Sequence, residues 1–391
     1  MNRGLIKEYA TYGNHQFNKD NAEYIIEKQK QFKLDGYEVY MDDVLSRGER
    51  LYNNEAELYA LVDVLKQRKV KRLHCSYWAY PTSFIGGYNF GELVDRFGSI
   101  NAVTAYYGDL TGEHMYKRWV EEYTLAKEMG AKAYTFHLID YAPIDGYWDF
   151  TIDKNIIRNF MVGFLQKLLN LLIEKKLLDE TSPFIELETS GWGLEYGIQS
   201  ADDYLLVFNQ IFDPFNKVKV AWEMNHLLHA VGYDEKEKTA KFFLQNYEKS
   251  NEMIYLEKTY GKKPQQFVEK WIQSQICHPH LIDKIGSLHL SDNSFKRINY
   301  FTNGKLREKD FNEIRNLDTW DEKEMYGVEI VLRNYDNHQV LGTGVYRKAF
   351  LHELLEIIFK ENKEFVLLHE LKNANALEKD LKSQLDFLWE K

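Results

Sequence analysis

The sequence predicts an α/β protein: a single (β/α)8 barrel of the TIM type with two long insertions near its C-terminal strands. Short apolar runs alternate with longer amphipathic stretches, eight such runs occur along the 391 residues, and imidazoles and carboxylates gather at their C-terminal ends. No Gly/Ser-rich or Pro-rich linker divides the chain and prolines number only six, so residues 1–391 read as one domain.

Each apolar run is short and bounded, as a strand covered on both faces requires, and each following stretch repeats apolar residues at helical spacing. Gly4–Tyr9 leads to the helix expected at Asn21–Leu34, Tyr37–Met41 to Glu55–Lys69, and Arg72–Ser76 to His114–Met129. Ala133–His137 precedes Ile156–Lys176, and Phe184–Thr189 precedes Ala201–Phe212. Lys219–Glu223 is followed by Thr239–Glu248 and Phe267–Ser274, Ile285–Leu290 by Arg347–Glu361, and Phe365–Glu370 supplies the last strand. The connections Asp234–Lys284 and Asn293–Tyr346 exceed simple turns and are the two expected insertions, suited to cover a barrel mouth or to form a solvated excursion.

Lys and Arg number 50 against 60 Asp and Glu, a formal charge of -10 that gives no whole-surface attraction to nucleic acid. With 44% apolar residues, 27 Tyr, 23 Phe and 8 Trp, the chain has ample material for a packed core, which excludes wholesale disorder. Two cysteines, Cys75 and Cys277, cannot build a disulfide framework, and no Cys-x-x-Cys pair occurs. No apolar run approaches the roughly 18 residues of a membrane span, so a cytoplasmic protein without a membrane partner is expected. Oligomeric state is not legible.

In a TIM-type barrel the active site forms at the C-terminal ends of the strands, so polar residues there carry the functional signal. The third strand ends at His74, the fourth at His137, the fifth at Glu186-Leu187-Glu188, the sixth at Glu223 followed by His226, the seventh at His289 with Asp292 beyond it, and the eighth at Glu370. Converging on one axis, unpaired carboxylates repel one another and lose hydration, which a divalent cation relieves while neutral imidazoles ligate it. Mixed His, Asp and Glu donors without Cys suit zinc, manganese or iron(II). Glu186 and Glu188 share a strand face; Glu188, nearer the strand end, is the better ligand, with Glu186 a ligand or an orienting partner of a ligating histidine. Cys75 points the other way and packs. Asp292 either orients a ligand or caps a turn. Asp336 and His338, two residues apart before Leu341-Gly342-Thr343-Gly344, chelate a metal or sit on a solvated loop.

These motifs resemble the xylose-isomerase-like TIM barrels and, among them, most closely the type IV apurinic/apyrimidinic endonucleases. His74-Cys75-Ser76-Tyr77 is similar to that family's His-x-Ser-Tyr, and Glu188-Thr189-Ser190-Gly191-Trp192-Gly193 to its Glu-x-Thr-Ala-Gly-x-Gly with one residue fewer. Glu223-Met224-Asn225-His226 resembles Asp-Thr-x-His with Glu in place of Asp, and His289-Leu290-Ser291-Asp292 resembles His-Leu-Asn-Asp. The resemblance implies a zinc centre of up to three ions: His74, His137 and Glu188 for the first, Glu188, Glu223, His289 and Glu370 for the second, and His226, Asp336 and His338 for the third.

On that likeness the expected activity is metal-dependent phosphoester hydrolysis, with Glu188 and Glu370 as catalytic carboxylates and a phosphorylated small molecule or DNA as substrate. The alternative is a one-ion sugar or sugar-phosphate isomerase or epimerase, in which Glu188 or Glu370 moves a proton and Trp78, Trp148 and Trp192 stack on the carbohydrate. A third reading is a carbohydrate- or partner-binding barrel whose metal is structural.

Overall fold

The computed structural model describes residues 3–13, 19–41, 50–76, 91, 94, 98–107, 109–140, 143–144, 147–148, 154–189, 196–198, 200–230, 264–292, 301–302, 305–306, 338–371 and 379–390. Eight parallel strands close a barrel in chain order: β1 (Lys7–Gly13), β2 (Gly36–Tyr40), β3 (Val70–His74), β4 (Ala133–His137), β5 (Phe184–Glu188), β6 (Val218–Glu223), β7 (Ile285–Leu290) and β8 (Val366–His369), with β8 pairing back onto β1. The barrel expected from the sequence is therefore the observed fold.

Among the described residues the helices are α1 (Lys19–Phe32), α2 (Glu55–Gln67), α3 (Ile100–Tyr107), α4 (Glu113–Glu128), α5 (Lys154–Glu174), α6 (Ala201–Phe208), α7 (Met224–Ala230), α8 (Pro264–Ile276), α9 (Lys348–Glu361) and α10 (Lys379–Trp389). None of them is long and apolar enough to cross a membrane. The helix expected at Thr239–Glu248 and most of both expected insertions lie outside the described residues.

Side-chain alternation along the strands builds two environments. Outward residues such as Tyr134, Phe136, Leu187 and Trp222 are buried beneath the helices. Trp119 of α4 meets Phe136 edge-on with ring centroids 5.2 Å apart, and Tyr204 of α6 meets Trp222 at 4.7 Å. Such pairs contribute about 0.5–1.5 kcal/mol each beyond their burial.

Inward residues form a polar layer below the mouth. Arg72 Nε donates to Glu38 Oε2 at 3.1 Å, and the same guanidinium donates to both carboxylate oxygens of Glu186, through Nη1 to Oε1 at 3.2 Å and through Nη2 to Oε2. Thr135 Oγ1 donates to Glu38 Oε2 at 2.8 Å, and Ser287 Oγ donates to Glu186 Oε2. Glu186 thus stands one layer beneath Glu188.

α10, which the sequence reading did not anticipate, is hydrogen-bonded to β1, β7 and β8. Trp389 Nε1 donates to Glu8 Oε1 at 2.6 Å, and Gln384 Nε2 donates to the Leu290 carbonyl at 2.8 Å. Gln384 Oε1 accepts the Leu341 N–H at 3.0 Å, which ties down the segment that carries His338.

Candidate metal centre

The C-terminal strand ends deliver the donor atoms. In register, His137 lies beside Glu188 across β4 and β5, and Glu223 lies beside His289 across β6 and β7. His226 follows one turn into α7, and Glu370 comes directly after β8.

Glu188 is the hub. Its Oε2 is 3.2 Å from Nε2 of both His74 and His137 and 3.9 Å from His289 Nδ1, while its Oε1 is 3.5 Å from His226 Nδ1. The two imidazoles of His74 and His137 approach to 3.1 Å between their Nε2 atoms. His74 Nδ1 is occupied by the Cys75 carbonyl at 2.9 Å, which turns Nε2 toward the site. His226 Nδ1 lies 2.8 Å from the Thr189 carbonyl and donates to it.

On the other side, His289 Nδ1 faces Glu370 Oε2 at 3.0 Å and Glu223 Oε2 at 3.7 Å. Ser291 Oγ donates to Glu223 Oε1 at 2.8 Å and lies 3.1 Å from His338 Nδ1. His338 holds a left-handed backbone conformation, φ +36°, unusual for a residue with a side chain. Asp292 anchors this segment: its two oxygens accept backbone N–H groups from Gly342, Gly344, Val345 and Tyr346 at 2.8–3.3 Å. Asp292 is therefore the carboxylate around which the Leu-Gly-Thr-Gly turn wraps.

Among the described residues, three groups of side chains able to ligate a metal result, each with donor atoms mutually within 4.8 Å: His74, His137 and Glu188; Glu188, His289 and Glu370; and Glu223, His338 and Glu370. Glu188 and Glu370 are each shared between two groups. The third group pairs His338 with Glu223 and Glu370, whereas the motif likeness pairs it with His226 and Asp336. His226 stays close, its ring 5.5 Å from that of His338. Asp336, Trp78 and Trp192 lie outside the described residues, as does the side chain of Trp148.

Electrostatics distinguish the members. Burial raises Glu188, but His137 and His289 outweigh it and hold the carboxyl well below the ordinary range. Burial, reinforced by Glu370 against the pull of His338, pushes Glu223 up to about 7. For His289, burial works downward, yet Glu188 and Glu370 lift it to about 9.

The residues fit a divalent cation. The donors are imidazole and carboxylate without thiol, and Glu223 Oε2 is a buried oxygen that accepts no hydrogen bond. A pH dependence follows, because protons and a cation compete for these atoms. Raised from the usual 4.5, Glu223 contributes proton-linked stability that is complete below that value and lost as pH rises through about 7; a cation takes the proton's place there. Zinc affinity is expected to rise with pH through neutrality, with proton release seen by calorimetry in buffers of different ionisation enthalpy. An affinity flat across that range would contradict competition at Glu223.

The residues that the sequence reading passed over are those beneath and beside the ligands: Arg72, Ser287 and Ser291. Arg72 and Ser287 each lie two positions before a strand-end histidine, so period-2 alternation places them on the same inward face.

No protein-family model matches the chain, and no curated protein matches it in sequence. Solved structures do match in fold. Endonuclease IV from Thermus thermophilus aligns with a TM-score of 0.50 at 13% identity, over 98% of each chain. D-psicose 3-epimerase from Clostridium cellulolyticum, solved with D-tagatose, aligns with a TM-score of 0.50 at 12% identity, again over 98% of each chain. The fold is thus one shared by an endonuclease IV and a D-psicose 3-epimerase.

Proposed function

We propose that this barrel, of the xylose-isomerase-like fold, belongs to a divalent-metal-dependent enzyme, and that its reaction is phosphoester hydrolysis with zinc. The observation that supports hydrolysis is the breadth of the donor set: Glu188 and Glu370 each join two adjoining ligand groups, and His74, His137 and His338 extend well beyond what one ion needs. Zinc ions bound by these groups would activate water at neutral pH and neutralise charge on the phosphoester oxygens.

The chain's own residues supply positioning and proton handling. Glu188, buried and ringed by four imidazoles, holds a fixed negative charge between two ligand groups. Glu370, whose side chain is 21% exposed while that of Glu223 is fully buried, is the carboxylate able to exchange a proton with solvent or substrate. Asp336 would join His226 and His338 in holding a third ion, as the motif likeness pairs them. A phosphorylated small molecule or DNA is the substrate class.

A second reading rests on Glu188, His289 and Glu370, which by themselves are able to hold one ion and bring two carboxylates to it, as taking a proton from one face of a sugar carbon and returning one to the other requires. The fold is also that of D-psicose 3-epimerase. In this reading Trp78, Trp148 and Trp192 would stack on the sugar.

Zinc-loaded protein assayed on phosphomonoesters, phosphodiesters, an abasic-site duplex and ketohexoses separates the two. Cleavage of a phosphoester that stops on chelation and returns with zinc is expected. Ketose epimerisation supported by a single ion, with every phosphoester untouched, would overturn the hydrolase reading.

A further inference from the structure

We propose that Arg72, Glu186 and Ser287 are positioning residues that fix His289 with Nδ1, rather than Nε2, turned to a divalent cation; this inference rests on the metal-dependent reading above. The argument is a count of donors. Arg72 has no acceptor, so its N–H groups face Glu186 at both carboxylate oxygens and Glu186 accepts. Ser287 Oγ lies against Glu186 Oε2 and carries a single proton, which goes to that carboxylate. The same Oγ is 3.1 Å from His289 Nε2. Having given its only proton away, Ser287 can meet His289 only as an acceptor, so Nε2 carries hydrogen, and in the neutral imidazole that a cation binds the lone pair belongs to Nδ1. Nδ1 is the nitrogen that faces Glu188, Glu223 and Glu370.

Two features set this chain of hydrogen bonds apart from ordinary packing. One guanidinium serves two buried carboxylates, Glu38 and Glu186, so negative charge remains in excess in the layer below His289. That excess strengthens Ser287 as an acceptor and makes the imidazole a better ligand, as outer partners of metal-binding histidines do. Independently, the backbone leaves room for the arrangement. A Cβ at Gly286 would stand 2.5 Å from Glu186 Oε1, so the glycine before Ser287 allows Glu186 to lie beneath β7.

The test uses full-length protein labelled with 15N-imidazole histidine and loaded with zinc. His289 signals are assigned by their loss in His289→Gln, and long-range 1H–15N correlations identify the nitrogen that ligates. Zinc affinity is measured by chelator competition at fixed pH for wild type, Ser287→Ala, Ser287→Thr and His289→Gln. Expected are zinc on Nδ1 with a proton retained on Nε2, a loss of affinity of about 10- to 100-fold in Ser287→Ala, and recovery to within a few-fold in Ser287→Thr, which keeps the hydroxyl. Zinc on Nε2, or Ser287→Ala at wild-type affinity while His289→Gln weakens binding, would overturn the positioning role and leave the metal reading intact. Wild-type affinity in His289→Gln would remove the metal from His289 and the proposal with it. Should Ser287→Ala fail to fold, the wild-type nitrogen pattern alone decides.

Discussion

Glu188→Gln is expected to lower zinc content by at least one ion per chain and to reduce metal-dependent turnover by more than about 100-fold. The outer partners of metal ligands cost up to about 100-fold when removed, and Glu188 stands inside that shell, shared between two groups of donors. Glutamine keeps the volume and one acceptor oxygen but removes the charge. His74, His137 and His289 would then converge on a neutral amide, which offers no counter-charge to a cation and none to a protonated imidazole. Elemental analysis together with circular dichroism separates metal loss from unfolding. Content and turnover within a few-fold of wild type in a folded variant would remove Glu188 from the centre of the site.

The largest expected effect on stability comes from Arg72→Met. Arg72 is 2% exposed, and its removal leaves Glu38 and Glu186 buried without their cation. Breaking a buried pair by deleting one partner costs about 3–5 kcal/mol, because the remaining charge has lost its solvation and its partner together. Thr135 and Ser287 still donate to the two carboxylates, but a hydroxyl offsets only part of that cost. Urea unfolding measures it. Adding Glu38→Gln and Glu186→Gln to Arg72→Met should recover much of the loss, since neutral amides need no counter-charge. A cost below about 0.5 kcal/mol for Arg72→Met, the range of an ordinary surface change, would show that the layer is not electrostatically coupled.

The barrel was legible because its strands, covered on both faces, read as separate apolar runs: Ala133–His137 and Ile285–Leu290 occur with the boundaries the sequence predicts. Helix ends were less so. The helices expected to reach Leu34, Lys69 and Lys176 stop two residues earlier, at Phe32, Gln67 and Glu174. Lys33, Lys69 and Lys176 adopt φ of +58°, +56° and +58°, the left-handed turn usually marked by glycine. With lysine at that position, the amphipathic pattern runs on without a stop signal. α10 was missed because it follows the last strand, where the alternation offers no further strand to demand a crossover helix.

For the site, position at a strand end singled out His74, His137, Glu188, Glu223, His289 and Glu370, all of which the barrel brings to one mouth. What position could not give was partnership. Donors from β5, β6, β7 and the segment at His338 meet only in three dimensions, so the grouping of His338 with Glu223 and Glu370 is a product of closure. In the layer beneath, strand alternation singled out Glu186 as a ligand or an orienting partner of a ligating histidine, but not its partners Arg72 and Ser287, because residues 72, 186 and 287 are far apart in sequence.

Metal content is the most direct measurement. Protein prepared without chelator, together with His226→Ala and His338→Ala, should be analysed for bound metal by elemental analysis. About three ions per chain, falling to about two in each variant, is the expected result for a centre in which His226 and His338 serve one ion among three. A single ion, unchanged by either substitution, would contradict the three-ion hydrolase centre and make the one-ion sugar isomerase the better account of this barrel.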